Sequence, residues 1–331
     1  MRRLRYEATH LLRLLAAPGD YLYLPALEDS AARLLDHEGA ELASPLEAGT
    51  VLEVKLWVLE PHILKELAAA PCLASYRLLL PELDAPYLAL AHRRGCEALL
   101  ERCCCELGYP EALRAHWVEA GADRAETERR LLELWQGLGA EQAAGARLVL
   151  KRPYSSSGRG VQLVSAQPAA CELASAVGSC QRLGSVSLEP YWQVEANWAL
   201  EYERLETGVV HFVGYSHFVT SERGAYAGNV LWTQQQLGER LAALVPEHEL
   251  TALIALHEAY LGEQLAGSSY VGYIGIDLFV YRCGATLALH PAVEINLRCT
   301  MGVLAHRAQL RDWPEGSEVL FTLDYGHGVR R

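Results

Sequence analysis

The sequence predicts an α/β unit over residues 1–140, followed by a larger α+β unit over residues 141–331. Three observations point to this division. The 331-residue length leaves room for about two domains. The first part alternates short apolar runs with amphipathic helical patterns, as parallel βα units do. The second part gathers longer β-forming runs with helices between them, as sheets covered by helices on one face do.

In the first part, Tyr21-Leu22-Tyr23-Leu24 reads as a strand stopped by Pro25, and residues 26–38 as an amphipathic helix. Residues 51–58 form a second expected strand and residues 62–70 a second helix. No GxGxxG comes after either strand, so no dinucleotide site is signalled. Residues 87–107 and 124–138 carry apolar side chains at three- and four-residue spacing and read as helices, the latter capped by Asp123. The Gly- and Ala-rich residues 137–145 read as the connection between the two units.

In the second part, strands are expected at 147–151, 161–164, 186–189, 198–203, 209–219, 270–281 and 286–295. Helices are expected at 168–177, 246–262 and 301–311.

Composition narrows the function. Hydrophobic residues make up 51% and charged residues 21%, with a mean hydropathy of +0.04, which is globular usage. A net charge of −12 argues against a general binder of nucleic-acid backbones. No apolar run reaches the roughly 18 residues that span a bilayer. The basic start, Met1-Arg2-Arg3-Leu4-Arg5, resembles the head of a signal peptide, but Glu7, His10 and Arg13 interrupt the apolar stretch such a peptide needs next. The expected setting is therefore cytoplasmic, with neither a membrane nor a nucleic acid as partner. Nine cysteines, an odd number without any CxxC and with Cys103-Cys104-Cys105 crowded together, read as reduced thiols. The 29 basic residues are 26 arginines and only three lysines, Lys55, Lys65 and Lys151. In such a chain a retained lysine marks a position suited to a compact ammonium.

Two segments carry chemistry. The first runs Leu148-Val149-Leu150-Lys151-Arg152-Pro153-Tyr154-Ser155-Ser156-Ser157-Gly158-Arg159-Gly160-Val161. A strand delivers a lysine, and a Ser/Gly loop turns back into a second strand. Such a loop either lays backbone N–H groups and hydroxyls over a phosphate or simply makes an exposed hairpin. It is neither a Walker A loop nor a kinase glycine loop. The second segment runs from Gly275-Ile276-Asp277 to His290-Pro291-Ala292-Val293-Glu294-Ile295-Asn296-Leu297-Arg298. Strand alternation puts Glu294 and Asn296 on one face, with Asp277 on the preceding strand. These carboxylates either lie on a solvated sheet face or supply, with Asn296, the hard oxygens that Mg²⁺ takes beside phosphates, with Arg298 placed to reach a transferring phosphoryl group.

Taken in order, these segments resemble the ATP-grasp superfamily, and most nearly bacterial ATP-grasp proteins of the carboxylate-amine ligase type. The resemblance covers residues 147–311. It rests on the strand lysine and Ser/Gly loop, the hinge Val186-Ser187-Leu188-Glu189-Pro190-Tyr191-Trp192, and then Asp277, Glu294-x-Asn296 and Arg298. It implies an α+β ATP-grasp fold in which two subdomains, 147–195 and 196–311, grip the nucleotide. It also implies an activity: ATP activates a carboxylate as an acyl-phosphate, and an amine or similar nucleophile displaces phosphate. Lys151 would contact the phosphates, and Ser155, Ser156, Ser157, Gly158, Arg159 and Gly160 would close over them. Glu189, Tyr191 and Trp192 would hold adenine, and Glu195 the ribose. Asp277, Glu294 and Asn296 would hold two Mg²⁺ ions, for which Mn²⁺ would substitute. Many members carry a further nucleotide lysine before the central domain. None lies between Lys65 and Lys151, so an arginine substitutes there or the contact is absent.

Ser221-Glu222-Arg223-Gly224-Ala225-Tyr226-Ala227-Gly228-Asn229 reads either as a Gly-rich hairpin or as a loop at the reaction centre, with Arg223, Tyr226 and Asn229 orienting substrate. His211 and His217, six apart on an expected strand, share a face by alternation and read as structural histidines rather than a metal pair. The alternatives to a ligase are a kinase or thiol ligase on the same fold, and a module that senses ATP without turning it over.

Overall fold

The computed structural model describes residues 6, 8–27, 30–140, 146–154, 160–221, 225–312, 319–324 and 328–330. Two small sheets open the chain. Strands β1 (Tyr21–Leu24) and β2 (Arg33–Asp36) pair antiparallel, so a strand stands where a helix was expected over residues 26–38. The reason is local. The Ser30 hydroxyl donates to the Leu27 carbonyl, and the Asp36 carboxylate accepts from the Glu38 and Ala40 amides. Such side chains offer the backbone turns in place of helix. Strands β3 (Val51–Glu53) and β4 (Arg77–Leu79) pair parallel around helix α1 (Pro61–Ala68), as a βα unit should. β3 ends at Glu53, short of the expected residue 58, and Val58 instead bridges to Arg298.

The single helix expected over residues 87–107 is two helices, α2 (Ala85–Ala91) and α3 (Arg93–Leu107). His92 between them is extended, and its Nδ1 accepts from the Arg94 amide as the cap of α3. This break puts Arg93 in the first turn of α3. Gly108 ends α3 at φ +75°, a conformation that suits glycine. Asp84 caps α2 by accepting from the Tyr87 amide, and also accepts from the hydroxyls of Ser268 and Ser269.

A four-stranded antiparallel sheet comes next in the order β5-β8-β6-β7, from β5 (His116–Glu119), β6 (Arg147–Lys151), β7 (Val161–Ser165) and β8 (Ser185–Pro190). Helices α4 (Arg124–Ala140) and α5 (Ala170–Leu183) cover one face. There Leu131, Trp135, Val177 and Cys180 bury against Leu148, Leu150 and Leu188. Alternation leaves Val149, Lys151, Ser187 and Glu189 on the opposite face. This sheet takes β5 and α4 from before residue 141, so it starts ahead of the expected boundary. Residues 137–140 of the expected connection continue α4 instead, and Gly139 lies against the Ala166 carbonyl where a side chain would not fit. Residues 141–145 lie outside the described residues.

The larger sheet has the order β13-β12-β9-β10-β11-β14-β15. Its strands are β9 (Val194–Arg204), β10 (Val210–Thr220), β11 (Tyr226–Val230), β12 (Gly272–Cys283), β13 (Thr286–Asn296), β14 (Leu320–Asp324) and β15 (Gly328–Arg330). Among the described residues, helices α6 (Gln234–Ala242), α7 (Glu247–Gln264) and α8 (Met301–Asp312) complete this half. Trp198, Leu200, Tyr202, Ile274 and Ile276 face one way, into a core shared with Leu253 and Leu261 of α7. The other face carries Glu201, Asp277, Glu294 and Asn296, with α8 packed over β9 to β11. Helix α3 runs against β13 and covers an edge that would otherwise invite pairing. Among the described residues no helix is long and apolar enough to cross a membrane.

The Asp84 junction ties the N-terminal part to the segment before β12, and its hydrogen bonds hold the carboxyl below its ordinary range against the opposing effect of burial. Asp84→Ala should lower stability by about 1–2 kcal/mol in urea unfolding near neutral pH. Because the folded state favours the ionised form, this stabilisation is present above the unfolded carboxyl pKa. It fades as pH falls through the folded value, so mutant and wild type should converge in acid. A mutant indistinguishable from wild type at pH 7 would show that the junction contributes nothing.

Candidate active site

Lys151 ends β6 on the face of the small sheet that α4 and α5 leave open. Its Nζ lies 2.7 Å from Glu189 Oε2, with the two side chains 10% and 12% exposed. Lys55 and Lys65 are exposed, so Lys151 is the one buried lysine of the three. It faces a small cavity between the two sheets, lined also by Ser187 and Trp117 of the small sheet, Arg93 and Leu100 of α3, and His290 of β13. Burial, with the neighbouring Lys151 charge acting the same way, pushes His290 down to about 3, so it is a neutral wall.

The carboxylates arrive from the large sheet. Asp277 on β12 pairs directly with Glu294 on β13, and Gly275 with Asn296. All four therefore share one face, as alternation predicts. Burial, then the facing Glu294, pushes the Asp277 carboxyl well above its ordinary range, while Arg298, Asn296 and Arg93 pull it down. Next along, residues 291–293 of β13 stand opposite the single residue Leu278, a bulge between the pairs Asp277–Glu294 and Phe279–His290. It lets one strand present Glu294 to the carboxylate cluster and His290, Ala292 and Val293 to the cavity. Arg298 lies just past the strand; its Nη2 donates to Asn296 Oδ1 at 2.7 Å, and Val58 holds its backbone.

Arg93 links the two groups. Its guanidinium, 7% exposed, lies 2.9 Å from Glu294 Oε1 while lining the cavity of Lys151. Its backbone N–H donates to the Pro153 carbonyl at the mouth of the Ser/Gly loop, and the His92 ring meets the Tyr154 ring edge-on at 4.9 Å. Sequence reasoning did not single out Arg93. The signal was its place in the first turn after an N-capping histidine, hidden within what read as one continuous helix.

Glu201 was also missed. It lies on β9, paired with Gly275 and Gly214, and is 3% exposed. A Cβ on Gly302 would strike its Oε1, and one on Gly275 would lie 3.0 Å from its Oε2. Two glycines thus leave room for a buried acid beside Thr300 and the start of α8. Its Oε2 has no hydrogen-bond partner among the described residues. Burial pushes the carboxyl up to about 8, against the pull of Thr300 and Arg298.

The remaining expected site residues are scattered. Ser155, Ser156, Ser157, Gly158 and Arg159 lie outside the described residues, as does Arg223. The carbonyl of Gly160 accepts from the Arg152 amide and closes the base of the loop. Tyr191 is 51% exposed at the end of β8. Trp192 packs on Tyr281, ring centroids 4.7 Å apart, against the large core. Glu195 pairs with Arg282 at 2.8 Å and does not line the Lys151 cavity. Tyr226 donates to Asn229 at 2.5 Å, and Asn229, 2% exposed, donates to Ser216. His211 and His217 do not share a face. A bulge between Phe212 and Gly214 sets His211 opposite Glu203 and turns His217 onto Trp198 and Trp232.

Hard oxygens on a shared face, with one carboxyl pushed up by its neighbour, are what a divalent cation relieves. Among the described residues no cluster of three or more His, Cys, Asp and Glu side chains forms. Two carboxylates and an amide nevertheless fit Mg²⁺, which keeps waters and takes phosphate oxygens.

No protein-family model and no curated protein matches the chain. Solved structures give distant likenesses. N5-carboxyaminoimidazole synthetase from Staphylococcus aureus, complexed with ADP, is 12% identical over 69% of this chain and 50% of that one, with a TM-score of 0.40. Carboxyaminoimidazole ribonucleotide synthase from Aspergillus clavatus, complexed with ATP, is 14% identical over 76% and 54%, at 0.44. Biotin carboxylase from Campylobacter jejuni, in a β,γ-ATP complex, is 14% identical over 75% and 52%, at 0.44. The chain thus spans about half the length of each.

Glu201 makes a pH test. An acid whose folded pKa is raised stabilises fully below its unfolded value, and that contribution is lost as pH rises through the folded one. Wild-type stability should therefore fall between about pH 4.5 and 8, by on the order of a few kcal/mol. Glu201→Gln should flatten that slope in denaturant unfolding across the range. An unchanged slope would show that Glu201 is ionised in the folded protein.

Proposed function

We propose that the chain is an ATP- and Mg²⁺-dependent ligase of the ATP-grasp kind, activating a carboxylate and joining it to an amine or similar nucleophile. One observation carries this reading: Arg93 lines the cavity of the buried Lys151 and at the same time touches Glu294, half of the Asp277–Glu294 carboxylate pair. A nucleotide site and a cation site thus adjoin, as phosphoryl transfer needs.

In this reading Lys151 and Arg93 bind the nucleotide phosphates, Arg93 serving where relatives of the family use a second lysine. The backbone of residues 189–192 holds the base, and residues 155–160 cover the phosphates. Glu195, ion-paired to Arg282, reaches the ribose only if that pair opens. Asp277, Glu294 and Asn296 would hold Mg²⁺, which supplies charge neutralisation for the phosphates. Arg298, tethered by Asn296, neutralises charge on the phosphoryl group in transfer. A substrate carboxylate oxygen attacks the γ-phosphorus and ADP leaves; the amine then attacks the acyl carbon and phosphate leaves. Covering the site against water protects the acyl-phosphate between these steps. Arg223 orients the substrate in this scheme, while Tyr226 and Asn229 bond to each other and to Ser216.

Calorimetric titration with ADP tests the nucleotide half. Lys151→Gln should weaken ADP by about 10- to 100-fold, the loss of a charge-assisted hydrogen bond of roughly 1.5–3 kcal/mol. An unchanged affinity would remove Lys151 from the site. The reaction class is read from products formed with mixed carboxylates and amines. Equal ADP and inorganic phosphate support a ligase; ADP with a phosphorylated acceptor supports a kinase.

A further inference from the structure

Two cations of the cleft, Lys151 and Arg93, are already paired with carboxylates of the same cleft. Lys151 meets Glu189 at 2.7 Å and Arg93 meets Glu294 at 2.9 Å, and none of the four side chains is more than 22% exposed. Charges this buried do not remain unpaired, because removing one partner strands the other in a poor solvent. The two pairs differ in what they block. The Lys151 pair lies within the small sheet, whereas the Arg93 pair crosses from α3 to β13 and occupies an oxygen of Glu294 that a metal ion would use.

We infer that Arg93 is a placeholder cation that holds Glu294 until nucleotide arrives, so that the chain takes up a divalent ion only together with its nucleotide. This rests on the ligase reading. Phosphate oxygens entering the cavity offer the guanidinium a bidentate partner, to which arginine is well matched. As the guanidinium turns to the phosphates, Glu294 is released beside Asp277, and the carboxylate pair demands another cation. Arg93 is therefore a positioning residue for the metal as well as a nucleotide contact. Its place is set from two sides. The His92 cap fixes the first turn of α3, and the Arg93 N–H to Pro153 carbonyl bond ties that turn to the Ser/Gly loop.

The test measures Mn²⁺ binding to the full chain without nucleotide, by electron paramagnetic resonance, alongside ADP binding in EDTA by calorimetry. Wild type should bind Mn²⁺ weakly, and Arg93→Met should tighten Mn²⁺ by about tenfold or more, equivalent to roughly 1.4 kcal/mol. Arg102→Gln is the control: it removes a cation from the same helix, paired there with Glu106 and Glu263, but leaves Glu294 held, and should change Mn²⁺ affinity by less than about threefold. No tightening in Arg93→Met, or equal tightening in both variants, overturns the inference. Should Arg93→Met fail to fold, the reverse arm decides. Glu294→Gln takes the Glu294 carboxylate away from Arg93 and should tighten ADP in EDTA more than Asp277→Asn, which removes the same charge and leaves the Arg93–Glu294 pair in place. Equal effects overturn the inference. Failure of wild type to bind ADP at all sinks the ligase reading instead, and is seen separately in the calorimetric arm.

Discussion

Charge buried between two sheets is the constraint around which the molecule is arranged. Lys151, Glu189, Arg93 and Glu294 would each be costly to bury alone. Each is tolerable because a partner arrives from another strand or helix. Those partnerships require α3 to lie along the edge of the large sheet, with Arg93 in its first turn rather than mid-helix. They require the open face of the small sheet to meet that same helix. The apolar cores are then set, since each sheet buries its other face under helices, α4 and α5 on the small one and α7 on the large one.

The polar face of the large sheet is organised by small departures from regularity. A three-against-one bulge in β13 separates Glu294 from His290, so one strand serves a carboxylate pair and a cavity wall. Gly275 and Gly302 leave space for Glu201, and Val58 and Cys299 pin the segment that carries Arg298. Through that pinning the N-terminal part contributes to the site, and its α3 supplies Arg93.

Much of this was legible in the sequence because strand alternation is a strong signal. The common face of Glu294 and Asn296, the place of Asp277 on the preceding strand, and the special status of Lys151 all come from period-two patterns and residue scarcity. The unread parts share one cause, local chemistry that overrides periodicity. Ser30 and Asp36 turned an expected helix into a hairpin strand. His92 broke one helix into two and thereby placed Arg93. A bulge after Phe212 set His211 and His217 on opposite faces, and short β5 offered too few residues for a period to show. Glu201 was hidden because an acid on a long β run reads as solvated unless the glycines across from it are known to be its neighbours.

The central claim is that this cleft binds a nucleotide whose phosphates meet a cation at Asp277 and Glu294. Thermal unfolding with ATP, ADP and GTP, each with and without Mg²⁺, tests it most directly on wild type and Glu294→Ala. A ligand at about 100 times its dissociation constant stabilises the folded state by roughly 2.7 kcal/mol. The expected result is stabilisation by ATP that Mg²⁺ strengthens in wild type and not in Glu294→Ala. Absence of any nucleotide effect in both proteins would contradict the account.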